Sequence, residues 1–168
     1  MAISNRDRVA RVMDLLKEGL GPFVLREYKM VYKGSGYVRE IDDALRTSAY
    51  ELPRDFVLDP ANVEETLLAH IDAHGWLNLM WRRWNDVFRE KLGHAERSYI
   101  SELMEARNAW AHQRAFSNDD AYRVADTAHL NTRQLDHVCI SRDYRSGDYQ
   151  NRSEEVIIAQ HDIRRTAG

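Results

Sequence analysis

The sequence predicts an all-α fold. Apolar residues recur at helical spacing over most of the first 138 positions, capping side chains precede several of those runs, and glycine and proline fall between them. Three prolines and eight glycines also argue against a disordered or fibrous chain. At 168 residues the chain suits one domain with a substantial core and is short for two.

Ser4 or Asn5 can cap a first helix whose apolar residues are Val9, Val12, Met13, Leu16 and Leu20. Gly19, Gly21 and Pro22 predict a break, with Pro22 opening a second helix through Phe23, Val24, Tyr28 and Val31 that ends near Gly34. A weaker helical pattern over 37–49 rests on Val38, Ile41, Ala44 and Leu45. Residues 50–60, with Pro53 and Pro60, read as a loop. Asp59-Pro60 predicts a helix start with Asp59 as cap, an apolar face of Val63, Leu67, Leu68 and Ile71, and an interruption at Gly75.

From Trp76 to Leu92 the segment is rich in aromatics, and Gly93 is expected to stop it in the C′ position. A further helix is expected from about Ala95 to His112. Ser117-Asn118-Asp119-Asp120 has the form of a capping box for a last helix, which passes through Tyr122, Ala125, Ala128, Leu130 and Leu135 to about His137. Beyond Cys139 the pattern dissolves, and 141–154 has linker composition. Val156-Ile157-Ile158 can start a short strand or helix. The expected organisation is a helical domain over 4–138 followed by a polar linker or tail, 139–168, or the start of a further region.

An apolar content of 43% and a charged content of 30% are ordinary for a soluble globular protein. No apolar run approaches the ~20 residues that span a bilayer, so no membrane partner is expected. Met1 to Arg6 lacks an apolar region, which predicts no secretory signal. Cys139 is the single cysteine, which excludes an internal disulfide and suits a reducing cytoplasm. The formal charge of −3 is unlike that of a domain gripping nucleic acid by counterion release. Any nucleic-acid contact is therefore expected to be local, made by a few arginines such as Arg82, Arg83 and Arg89.

The segment Glu105 to His112 places arginine, asparagine and histidine within six residues of an apolar helix. Arg107 falls in the middle of the stripe formed by Ile100, Leu103, Met104 and Ala111. Its guanidinium stays charged, so it must find an internal carboxylate or face a partner surface. The Arg-x4-His spacing alone is a weak signal, since about 0.8 such pairs are expected by chance and Arg89/His94 is a second one. Requiring asparagine directly after the arginine lowers that expectation to roughly 0.04, and only Arg107 passes. Asn108 and His112 are four apart and share a helix face. Arg107 and His112 are about 140° apart, and converge only at a helix–helix or subunit junction or where the helix end loosens. Otherwise Arg107 pairs internally and His112 merely caps the helix.

Four segments together resemble the HEPN superfamily: Trp84 to Leu92, Arg97 to Leu103, Arg107-Asn108-Ala109-Trp110-Ala111-His112, and Phe116 to Arg123. The type they resemble is the HEPN domain named after a eukaryotic endoribonuclease of messenger-RNA surveillance. The likeness covers about residues 5–137, strongly over 76–130, while 34–75 fits less well and reads as an insertion. It implies a HEPN-type up-and-down helical bundle that forms a homodimer through the motif helix. It also implies a metal-independent endoribonuclease site without a cofactor, cleaving RNA through the 2′-hydroxyl. There Arg107 would hold the scissile phosphate, Asn108 would orient the phosphate or the histidine, and His112 would transfer protons. Similar prokaryotic domains sit in anti-phage and toxin-like systems, with an ATPase domain or an antitoxin as partner. Others of the superfamily are non-catalytic modules for dimerisation or RNA sensing, which is the alternative function.

His70 and His74, four apart with Asp72 between them, have a spacing that can hold a metal, but no Cys or further His completes a site, and two surface histidines are the commoner outcome. Trp76, Trp81, Trp84 and Trp110 either stack on bases or belong to the core, and their spacing beside leucines favours the core. No Gly-rich phosphate loop, nucleophile elbow or zinc-finger spacing is present.

Overall fold

In the computed structural model the helices are α1 (Asn5–Val31), α2 (Gly36–Thr47), α3 (Val63–His70), α4 (Ala73–Arg82), α5 (His94–Ala111) and α6 (Asn118–Ile140), with a π-helical turn at Trp84–Phe88 between α4 and α5. The structure describes residues 3–48, 50, 56, 59 and 61–140, and within 136–140 the backbone alone. Among the described residues there is no strand. The readings made for 51–55, Pro60 and 141–168 lie outside these residues.

α1, α4, α5 and α6 form a closed ring in which α1 packs on α4 and α6, and α5 packs on α4 and α6. Cross-contacts give their directions. Asn5 bonds Asn118 while a Cβ at Gly19 would face Thr132, so α1 and α6 run parallel. Asp72 meets Arg107 and Trp81 meets Arg97, so α4 and α5 run antiparallel. α2 runs down against α4, since Glu40 and Asp43 meet Arg83 at one end and Tyr50 meets Asp72 at the other. α3 also runs opposite to α1, from the Glu64–Lys29 pair to the Ala69 carbonyl held by Lys17. Directions therefore alternate along the chain, with α2 and α3 sharing one.

The core is lined by Val9, Val12, Leu16, Leu20, Phe23 and Tyr28 of α1, Trp76, Leu77, Leu79 and Met80 of α4, Ile100 and Leu103 of α5, and Ala121, Ala125 and Ala128 of α6. Each large apolar side chain buried here stabilises the fold by about 1.5–3 kcal/mol. The alanines of α6 let it approach α1 and α5 closely. Phe88 of the π-helical turn packs against Phe23 and Tyr28, with ring centroids at 6.0 and 6.1 Å. The Tyr28 hydroxyl donates to the Leu79 carbonyl at 3.0 Å, and burial pushes this phenol well above its ordinary pKa.

α1 is one continuous helix of 27 residues, where the sequence predicts two. Pro22 sits inside it and lacks the N–H that would reach the residue 18 carbonyl. Gly21 is not a break either. A Cβ there would lie 2.7 Å from Leu68 Cδ2 and 3.3 Å from the Trp76 ring, so the glycine lets α3 and α4 approach α1. The expected helix start at Asp59 also moves. Asp59 accepts from the Ala61 N–H at 2.9 Å and from the Asn62 side chain at 3.1 Å, forming a turn, and α3 begins at Val63.

Gly75 is not the interruption between α3 and α4. The break falls at Ile71–Asp72, where Asp72 accepts the Gly75 N–H at 2.9 Å and caps α4. The expected helix over Trp76–Leu92 ends at Arg82 and continues as the π-helical turn, whose Arg89 N–H reaches back five residues to the Trp84 carbonyl at 2.8 Å. Gly93 starts α5 as its N-cap and does not end the preceding segment; its N–H donates to Glu96 Oε2 at 2.7 Å. The Ser117–Asp120 capping box forms as expected, with the Asp120 N–H on Ser117 Oγ at 3.1 Å and the Ser117 N–H on Asp120 Oδ2 at 2.9 Å.

Candidate functional site

α5 turns Ile100, Leu103 and Ala106 into the core, which fixes the direction of every other side chain on it. Arg107, four residues beyond Leu103, lies at the seam with α4 and is a quarter exposed. Its Nη2 donates to Asp72 Oδ2 at 3.3 Å. The guanidinium thus finds its anion inside its own chain, one of the two outcomes its place on the stripe allows, and needs no second subunit for that purpose.

Asp72 is itself held by two residues through three hydrogen bonds. Oδ1 accepts from the Gly75 N–H and from the Tyr50 hydroxyl, both at 2.9 Å, and the Tyr50 oxygen accepts the Asp72 N–H at 3.3 Å. The Tyr50 ring meets the edge of His74 at a centroid distance of 5.9 Å. Burial, aided by the Asp72 carboxylate, pushes the Tyr50 phenol up to about 12. Burial and the nearby Arg107 charge lower the pKa of His74, against the pull of Asp72. The result is a four-residue polar cluster at the start of α4, in which the sequence marks Arg107 for phosphate and Asp72 and His74 for a metal, but neither joins them nor points to Tyr50.

Asn108 and His112 are exposed on the adjoining face of α5. The His112 N–H donates to the Asn108 carbonyl at 3.0 Å, and His112 is the residue at which the helix ends. That end is closed. Gln113 takes a left-handed φ of 55°, its N–H bonds the Trp110 carbonyl at 3.1 Å, and the Arg114 N–H bonds the Ala109 carbonyl at 3.0 Å. This is a Schellman motif with glutamine where glycine is usual. The helix end therefore does not loosen to swing His112 toward Arg107. Within one chain Asn108 and His112 share an open face, while Arg107 is directed along the α4 seam.

Two residues from the first turn of α1 hold this corner. Arg6 Nη1 donates to the Trp110 carbonyl at 2.7 Å, and its guanidinium lies 5.0 Å from the Trp110 ring centroid. A cation there complements the partial negative charge at the end of α5. Asn5 Nδ2 donates to the Phe116 carbonyl at 3.1 Å and to Asn118 Oδ1 at 2.9 Å. The sequence marks Asn5 only as a possible helix cap, a role that Ser4 takes, and does not mark Arg6. The Asp-x-x-Gly spacing of Asp72 and Gly75 is a capping signal that does mark Asp72.

The other candidates separate clearly. Trp76 and Trp84 are core residues, Trp110 is half-buried under Arg6, and Trp81 is exposed. Arg83 is bound to Glu40 at 3.0 Å and Asp43 at 2.6 Å, while Arg82 and Arg89 stand exposed. The His70 Nδ1–H donates to the Thr66 carbonyl, 2.8 Å away, and its ring packs on Phe56. Among the described residues no group of three or more His, Cys, Asp or Glu side chains is placed to hold a metal. No helix among them is long and apolar enough to cross a membrane.

Comparison with known proteins yields a match to one family model, described as Swt1-like HEPN, over residues 11–136. No curated protein and no solved structure matches the chain. The matched span runs from α1 into α6 and contains α4 and α5 whole, most of α1 and α6, and Arg107, Asn108 and His112. The chain belongs to the Swt1-like HEPN family.

Proposed function

We propose that the protein is a metal-independent endoribonuclease module of a prokaryotic defence or toxin-like system, acting as a homodimer through α5. The observation that carries this reading is the exposure of Asn108 and His112 on one face of α5 beside an arginine held by a single 3.3 Å hydrogen bond. A guanidinium has five N–H donors, so Arg107 keeps donors for a phosphate while Asp72 holds it. An imidazole titrates near neutral pH and suits proton transfer. In the reaction the RNA 2′-hydroxyl gives its proton to a base, and its oxygen attacks the adjacent phosphorus. The bond to the 5′-oxygen breaks, that oxygen takes a proton, and a 2′,3′-cyclic phosphate remains. His112 serves in the proton transfers, and Arg107 stabilises the charge that builds on the phosphoryl oxygens. Asn108 orients the phosphate or the imidazole. Facing α5 helices of two copies would place two such sets together.

The test is incubation of the protein with mixed RNA in excess chelator. Fragments ending in 2′,3′-cyclic phosphate, lost in His112→Ala and Arg107→Ala, are expected. Intact RNA at high dimer concentration overturns the enzymatic reading. The Arg107–Asp72 pair favours a second reading, a non-catalytic dimerisation or RNA-sensing module in which Arg107 serves structure. Arg107→Ala would then lower stability or dimerisation with no change in any RNA signal.

A further inference from the structure

Ten residues before Arg107, α5 carries a second arginine whose surroundings differ from those of the ion-paired arginines among the described residues. The Arg97 guanidinium lies 4.8 Å from the Trp81 ring centroid and 5.8 Å from that of Trp84. Its Nε is buried without a hydrogen-bond partner, and no carboxylate among the described residues pairs with it. Contact with two indoles therefore holds this cation, and no carboxylate among the described residues compensates its charge. Trp84 is buried beneath, whereas Trp81 is 36% exposed, the most exposed of the four tryptophans.

The position relative to the motif matters as much as the contacts. Arg97 and Asn108 are eleven residues apart, which is three turns and about 20° on an α-helix. They share one face of α5, about 16 Å apart along its axis. Trp81 flanks that face from α4. Arg82 and Arg89, exposed and without carboxylate partners among the described residues, lie at the same end of α4 and in the adjoining turn. An aromatic face beside an uncompensated guanidinium is the arrangement that stacks a nucleobase and attracts its phosphate, and it does so with little base preference.

The geometry points to a nucleotide-binding subsite at Trp81 and Arg97, which engages single-stranded RNA a few nucleotides away from the bond held at Asn108 and His112. This rests on the reading of RNA as the ligand, and it names what that reading lacks in a chain of net negative charge: a local grip on the strand. Trp81 contributes stacking, and Arg97 contributes both a stacking plane and one phosphate contact. Neither touches the reacting atoms, so both act on binding and not on the chemical step.

The experiment measures binding of a dye-labelled single-stranded RNA of about ten nucleotides to the His112→Ala protein, and cleavage by the protein with His112 intact. Trp81→Ala is expected to weaken binding by about tenfold, with Trp81→Phe retaining most of it. Arg97→Gln is expected to weaken it and to reduce the salt dependence by about one phosphate contact. In cleavage, Trp81→Ala raises KM for the longer RNA without lowering kcat, and leaves a dinucleotide, too short to reach, unaffected. Thermal melts of Trp81→Phe and Arg97→Gln separate these effects from misfolding. RNA binding that depends on Trp81 without any cleavage upholds the subsite and sinks the enzymatic reading. Cleavage with KM unchanged in Trp81→Ala sinks the subsite and spares the enzyme. No RNA binding at all, or a Trp81→Ala effect confined to the monomer–dimer equilibrium, overturns the subsite.

Discussion

Asp72 ties the cap of α4 to the charge of Arg107: one carboxylate accepts the Gly75 N–H at 2.9 Å and the Arg107 Nη2 at 3.3 Å. The side chains of the pair are 25% and 48% exposed for Arg107 and Asp72, so solvent screens their attraction. A double-mutant cycle with Asp72→Asn and Arg107→Gln should give a coupling of about 0.5–1 kcal/mol by chemical denaturation. Asp72→Ala should cost about 1 kcal/mol beyond Asp72→Asn, because the Gly75 N–H then loses its acceptor. A coupling indistinguishable from zero would show that Arg107 is free of Asp72 in solution.

The residue after His112 is held in a conformation suited to glycine. Gln113 at φ 55° carries a Cβ where the left-handed region crowds it. Gln113→Gly should raise stability by about 0.5–1 kcal/mol, and Gln113→Val should lower it by more than 1 kcal/mol. A shift of the denaturation midpoint in the opposite order would mean that the α5 terminus does not close as a Schellman motif.

His74 and His129 both titrate below the ordinary histidine value of 6.5, through burial first and then through Arg107 and Arg133 respectively. The folded protein therefore takes up these protons less readily than the unfolded chain. Their contribution is fully present above pH 6.5 and is lost as pH falls through the depressed folded values. Melting temperature should fall with acidification below that point, and the His74→Gln, His129→Gln double variant should fall less steeply. Equal slopes for the two proteins would contradict this.

Glu27 is wholly buried, with Arg26 Nη2 at 2.7 Å and the Lys91 ammonium against its other oxygen. This carboxylate joins α1 to the segment following the π-helical turn. Glu27→Leu alone strands the largely buried Lys91 charge and should cost about 3–5 kcal/mol. Adding Lys91→Met should restore part of that loss, the share due to Lys91 and not to Arg26, since a well-packed apolar pair often matches a buried ion pair. If the double variant is no more stable than Glu27→Leu, Lys91 does not depend on Glu27.

The limits of reading this fold from its sequence are visible residue by residue. Ser117 and Asp120 cap α6 through contacts three residues apart, and such local chemistry is legible. The bounds of α5 likewise fall within a residue of those the apolar stripe predicts. Gly21 and Gly75 mislead because their role lies in Leu68, Trp76, Ile71 and Tyr50, which a pattern search along the chain does not join to them. The π-helical turn hides because its apolar residues satisfy an α-helical pattern equally well. At the candidate site the triplet Arg107, Asn108 and His112 stands out by composition. Its supports are not legible as such: Asp72 is marked only as a cap or a metal ligand, and its link to Arg107 spans 35 residues, while Arg6 acts over 104.

The Arg6 contact has a practical corollary for anyone shortening this protein. The family likeness begins at residue 11, so a fragment trimmed to that boundary would retain every motif residue and discard both Asn5 and Arg6. What it would lose is the brace on the corner behind His112. Inactivity in such a fragment would then report a missing amino-terminal strut, and an intact chemical triplet would go unrecognised.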